Sequence, residues 1–308
     1  MLLTGASGFI GAHVLDLLCE QHETVHAVAR RAGVRRDGVI WHEADLLAHG
    51  AGEQVTREAR ASELMHLAWY AVPGRFWTAP ENERWIDASL RLLRSFGEAG
   101  GERAVIAGTC AEYAWRSEPL RESDSPLLPA TLYGACKHAT HVAAAATAAQ
   151  LGVSLAWGRL FFIYGPGERE GRLVSSVLAA LLSGGEAPST DGHQMRDFMH
   201  VRDVAAALVA LLRSEVEGAV NIASGEPQPV REIVAEIARQ LGALERVRFG
   251  ALQRRADEPE LIAADVRRLR EEVGFREQVQ RRSGIGDAIE WWRGRRAGED
   301  LRGAADAR

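Results

Sequence analysis

The run Thr4-Gly-Ala-Ser-Gly-Phe-Ile-Gly11 sets three glycines at three-residue intervals. A short apolar start precedes it, and a helical pattern follows in which Ile10, Val14 and Leu18 share one face. A strand, a tight turn and a helix start are thus compressed into a few residues. Gly5 permits the turn, Gly8 lets backbone approach a pyrophosphate, and Gly11 lets the helix lie close to the strand. Free N–H groups and the positive end of the helix dipole then face the phosphates. Gly5, Ser7, Gly8, Phe9, Ile10 and Gly11 are therefore the candidate dinucleotide-binding residues. Only three residues precede Thr4, so the first strand is short. Either the native start lies upstream or the strand is clipped.

Apolar runs then alternate with helical patterns: TVHAVA (24–29), GVIWH (38–42), LMHLA (64–68), RAVIAG (103–108) and VSLAWG (153–158). Strand–helix alternation predicts an α/β fold with a doubly wound parallel sheet covered on both faces. After residue 160 the rhythm changes to helices near 172–183, 202–213 and 229–241, joined by longer Gly/Pro loops. We expect a dinucleotide-binding lobe over 1–163, to which 197–222 returns. A smaller C-terminal α/β lobe for substrate is expected over 164–196 and 223–298. The polar residues 299–308 read as a frayed tail.

A net charge of -5 with mixed signs excludes a polyanion-binding surface, so no nucleic-acid partner is expected. Cys19, Cys110 and Cys136 are too few and too scattered for a disulfide framework or a zinc site, and no metal is expected. No run is long and apolar enough for a bilayer, and the N-terminus lacks the basic region of a signal peptide. A cytoplasmic location follows as the expectation.

Where NAD-binding folds usually place an acid after the second strand, this chain reads Arg30-Arg31. Two guanidiniums suit a 2′-phosphate, which favours NADP(H) and leaves NAD(H) open. Asp45 either accepts from the adenine amino group or caps its own loop.

Among 37 Lys+Arg residues, Lys137 is the single lysine, and it stands four residues after Tyr133. On a helix this pair shares a face. An ammonium beside a phenol favours the phenolate, which can then exchange a proton with an alcohol or ketone oxygen. An arginine fork would not serve equally there. Thr109, at the tip of the fifth strand, is placed to donate to the same oxygen.

These residues resemble the extended short-chain dehydrogenase/reductases, in particular the NAD-dependent epimerase/dehydratase branch acting on nucleotide-sugars. The resemblance rests on TGASGFIG, HLA (66–68), GTCAEY (108–113), YGACK (133–137), GRLFFIYGPG (158–167), RDFMHVRDVA (196–205), VNIASGE (220–226) and RRADEP (254–259). It implies a Rossmann lobe and a catalytic trio of Thr109, Tyr133 and Lys137. It also implies cofactor contacts from Leu46, Leu67 and Ala68, and a nucleotide-diphosphate sugar held by Arg196 and Arg254, with Arg255 the rival of the latter. A homodimer is expected, paired through the helix of Tyr133, whose alanine-rich ATHVAAAATAAQ allows close approach.

The departures narrow the reaction. Dehydratases of the family follow the threonine with Asp-Glu; here Cys110 and Ala111 stand there, and Glu112 is one place too late. Phe162 replaces the family's common asparagine. Trp69, in the aromatic loop 69–77, either stacks on the substrate or packs between lobes. The reading favours reduction of a C4 keto group on a nucleotide deoxysugar. An epimerase with retained NAD is the alternative. Reduction of a non-sugar ketone and a non-catalytic cofactor-binding role remain further readings.

Overall fold

The computed structural model describes residues 1–21 and 24–306, with side chains through 295. Seven strands build one sheet: β1 (Leu2–Thr4), β2 (Val25–Ala29), β3 (Val39–Glu43), β4 (Glu63–His66), β5 (Arg103–Thr109), β6 (Ser154–Leu160) and, later in the chain, β11 (Gly218–Ile222). Their order is β3-β2-β1-β4-β5-β6-β11, and every neighbouring pair is parallel. The order reverses between β1 and β4, the switch point at which a doubly wound sheet opens a crevice.

The central strands read as continuous apolar runs because both sheet faces are covered. Leu3, Met65 and Val105 pack towards α1 (Phe9–Glu20) and α6 (Val201–Arg213). Leu2, Leu64 and Ile106 pack on the other face towards α2 (Ala51–Ala59), α3 (Glu81–Glu98) and α4 (Leu132–Leu151). Fully burying each such side chain contributes about 1.5–3 kcal/mol, so a one-residue slip in any central strand would misplace both layers at once.

β7 (Phe162–Tyr164) leads out of the sheet into α5 (Leu173–Leu182). Short strands follow: β8 (Ala187–Ser189), β9 (Met195–Arg196) and β10 (Phe198–His200) precede α6, while β12 (Gln228–Pro229), α7 (Val230–Gln240), β13 (Val247–Phe249) and β14 (Leu261–Ile262) come after β11. α8 (Arg281–Asp306) ends the described chain. α5, α7 and α8 share a separate apolar core with Leu178, Val234, Ile237 and Trp292. α6 and β11 lie with the large sheet, where β11 pairs with β6 and α6 packs on α1. The frayed tail expected over 299–308 falls beyond the residues whose side chains are described.

Candidate active site

The glycine loop has the geometry its spacing requires. Gly5 has a φ of 71°, and a side chain on Gly11 would sit well inside contact of the Gly5 carbonyl oxygen. Gly8 is the N-cap of α1 and contributes no side-chain cap, so the first amides of the helix face outward from a bare backbone turn. A Cβ on Gly5 would press on the backbone of Leu67 and Ala68 at the end of β4, which places those two residues beside the loop. This cradle and its free N–H groups fit a dinucleotide pyrophosphate.

Tyr133 and Lys137 project from the first turns of α4, which is capped by the Thr131 hydroxyl accepting from Gly134 N–H at 3.1 Å. Gly134 brings the helix against the strand tip: a Cβ there would collide with the Ala111 carbonyl. The close approach sets Tyr133 beside Thr109. Burial pushes the Tyr133 phenol up to about 12, while the Thr109 hydroxyl, through a hydrogen bond, and the charge of Arg172 pull it down. Phe76 and Trp77 close on the phenol edge-to-face at 4.9 and 5.9 Å. Arg172, which caps α5 in sequence position, went unnoticed in the sequence because nothing there links it to Tyr133.

Lys137 is buried, and its ammonium donates to the Ala107 carbonyl at 2.8 Å. Burial lowers its pKa to about 7, with Glu112 acting in the opposite direction. Trp69 is half-buried beside Lys137. Its ring lies 3.7 Å from the Lys137 nitrogen, it stacks on Trp85, and its indole N–H donates to Asn82 at 2.8 Å.

Glu112 is fully buried in a network. One of its oxygens accepts from Thr109 N–H (2.8 Å) and Trp157 Nε1 (2.9 Å), and the other from Arg159 Nε (2.9 Å). Arg159 continues to the Tyr113 hydroxyl, which donates to Asn221. Ligand atoms of Glu112, His138 and His141 come within 4.8 Å of one another, but the Arg159 guanidinium already neutralises this carboxylate and opposes a cation there. Cys110 is buried beside Thr109, and its thiol is pushed up to about 12 by desolvation.

Arg196 is buried and paired with Glu258 at 2.8 Å, 5.7 Å from the ring of Phe162. Arg254 bonds Glu260 at 2.8 Å, whereas Arg255 is exposed and faces Asp257; burial, and to a smaller extent Arg254, lowers the Arg196 pKa. Of the two arginines Arg254 is the less exposed, at 20% against 79%. Arg30 and Arg31 are exposed. Glu43, the Cα partner of Ala29 at the carboxyl end of β3, accepts from Ala32 N–H at 3.2 Å. It is an acid that a search along β2 alone overlooks. Asp45 caps its loop through Leu47 N–H at 3.1 Å, and Leu46 is buried.

Comparison with known proteins agrees with this geometry. A UDP-glucose 4-epimerase of Azospirillum brasilense is 30% identical over 322 residues, covering 95% of this chain and 92% of its own. A dTDP-6-deoxy-L-talose 4-dehydrogenase (NAD(+)) of Aggregatibacter actinomycetemcomitans is 26% identical, covering 77% and 88%. The solved structure of MoeE5 in complex with UDP-glucuronic acid and NAD superposes with a TM-score of 0.83 at 32% identity, covering 95% and 98%. The preference for NADP(H) read from Arg30 and Arg31 finds no support among these relatives, of which the solved complex holds NAD. Among the described residues no helix is long and apolar enough to cross a membrane. Residues 1–223 match the model of one family, and with the glycine cradle, the parallel sheet and the Tyr133–Lys137 helix in place, this chain belongs to the NAD dependent epimerase/dehydratase family.

Proposed function

We propose that the protein is an NAD(H)-dependent 4-epimerase of a nucleotide-diphosphate hexose. The observation that carries this reading is that, among the described residues, one group is suited to proton exchange with the oxygen on the reacting carbon. Tyr133 stands beside Thr109, while Cys110 holds its proton tightly, Ala111 has none to give, and Glu112 is bound to Arg159. Dehydration needs a second acid–base pair, so it lies outside this reading.

A nicotinamide held by the glycine cradle would supply hydride exchange at C4, and inversion requires that the 4-keto sugar turn so that the hydride comes back to its opposite face. Tyr133 removes the proton from the C4 hydroxyl and later restores it. Thr109 donates to the same oxygen and fixes its place. The Lys137 ammonium favours the phenolate, and the rings of Phe76 and Trp77 hold the phenol edge-to-face. Arg196 and Arg254 are the diphosphate clamp, exchanging their carboxylate partners for phosphate oxygens. Glu43 supports NAD, since a carboxylate at the ends of β2 and β3 accepts from ribose hydroxyls and repels a 2′-phosphate. Asp45 remains the candidate acceptor for the adenine amino group. The working unit is a homodimer joined through α4.

Incubation with UDP-glucose or UDP-glucuronate and NAD, followed by proton NMR, tests the reading. It expects the 4-epimer to appear without net NADH. The second reading, reduction of a 4-keto nucleotide deoxysugar, is favoured by the likeness to the 4-dehydrogenase. It expects no epimer but steady NADH consumption with the keto substrate. No turnover of any nucleotide-sugar in either assay would sink both.

A further inference from the structure

We propose that Trp69 is a positioning residue for Lys137: the face of its indole holds the ammonium in the cleft, protonated and aimed along α4. This rests on the function proposed above and deepens it. The nitrogen lies 3.7 Å from the ring centroid, within the range of a strong cation–π contact. The indole cannot turn away freely. Its N–H is held by the Asn82 side-chain oxygen, and the Asn82 amide is in turn fixed on the carbonyls of Phe76 (2.7 Å) and Ala79 (2.9 Å). Trp85 stacks behind it at 5.8 Å. A fully buried amide thus locks one aromatic ring against the single lysine of the chain.

The surroundings explain why such support is needed. Among the described residues, Lys137 has one hydrogen-bond acceptor, the Ala107 carbonyl on β5. Among the same residues, the groups whose charge couples to it are Glu112 on the turn after β5 and His66 at the end of β4, and Tyr133 stands one turn earlier on the same helix. Glu112 is committed to Arg159, and His66, buried between Thr4 and Ser89, is held neutral with a pKa of about 3. Desolvation has already brought the lysine to about 7. A further loss of stabilisation would remove most of the ammonium still present at physiological pH, and with it the charge offered to Tyr133 or a cofactor ribose.

Because Lys137 is the only lysine, protein grown on 13Cε-lysine carries one labelled side chain, and its NMR titration reads this site alone. The expected order of midpoints is wild type, then Trp69→Phe, then Trp69→Leu. The leucine variant falls about one unit, which cuts the protonated fraction at pH 7.5 roughly eightfold. A midpoint that is unchanged or raised in Trp69→Leu overturns the proposal. Should the leucine variant fail to fold, the phenylalanine variant keeps the packing, and its midpoint decides by the same criterion. Turnover of Lys137→Met separates the two levels. If that variant keeps wild-type turnover the proposed function falls, whereas an inactive Lys137→Met with an unshifted Trp69→Leu titration removes only the role of Trp69.

Discussion

Tyr133 starts from an unfavourable place for a base, with burial raising its phenol to about 12. Working near neutrality requires several units of lowering, each about 1.4 kcal/mol. The Thr109 hydroxyl, a donor to the phenol oxygen until substrate takes its place, already contributes to that value, and the remaining lowering falls to the Lys137 charge and the bound nicotinamide. Thr109→Val removes that donor, so the acid limb of the pH–rate profile should move up by about one unit, with kcat falling more than KM changes. Tyr133→Phe removes the proton carrier and should cost about 10²–10⁴ in kcat. The cofactor side offers an independent check. Glu43→Gln should narrow the preference for NAD over NADP by roughly tenfold in kcat/KM, by removing a carboxylate that repels a 2′-phosphate; unchanged selectivity would count against its role. Tyr133 and Lys137 were readable from the sequence because they share one helix and a fixed spacing. Glu43 and Arg172 were not, since strand pairing and the cap of a distant helix bring them to the site, and no local pattern marks them.

At the scale of elements, the buried Glu112–Arg159 pair ties the tip of β5 to β6, and through Tyr113 and Asn221 to β11. Neither charge has water to fall back on. Removing one partner, as in Arg159→Met, should cost about 3–5 kcal/mol in urea unfolding, and the double change Glu112→Gln/Arg159→Met less, because no lone charge then remains buried. Equal losses would show that the pair adds packing only. The long elements were legible for a reason of their own: strands buried on both faces read as apolar runs, and α5, α6 and α7 fall within a residue or so of the helices expected from periodicity. β8, β9, β12 and β14 escaped because two or three residues carry no alternation to detect, and their pairing is decided by tertiary contact. The network partners of Glu112 escaped for the same reason. The sequence marks it only as an acid one place late, whereas the fold turns it inward onto Thr109 N–H.

For the whole molecule, the buried titratable groups oppose one another in a way that sets where the fold is most stable. His66, His141 and His200 are held neutral by desolvation, with pKa values of about 3, 4 and 4 against an ordinary 6.5. The unfolded chain therefore binds more protons than the folded one below pH 6.5, and stability is lost as pH falls through that window. Glu168 and Glu277 act the other way. Burial raises them to about 8 and 7, so the folded state keeps protons that the unfolded state releases above 4.5, and stability is lost as pH rises towards 8. Glu168 is the sharper case, being 2% exposed with one oxygen that has no partner. Glu168→Gln keeps the shape and removes the ionisation. It should leave stability near pH 4.5 almost unchanged and raise it by about 2–4 kcal/mol at pH 8, measured as urea midpoints across pH. A gain that is constant with pH would instead mean that the side chain is poorly packed, with no proton taken up on folding. The predicted slope also bears on the site, because Glu168 lies on the loop leading to Arg172: an ionised Glu168 would compete for the guanidinium that helps lower Tyr133, and the variant should then hold its turnover further into the alkaline range than the wild type.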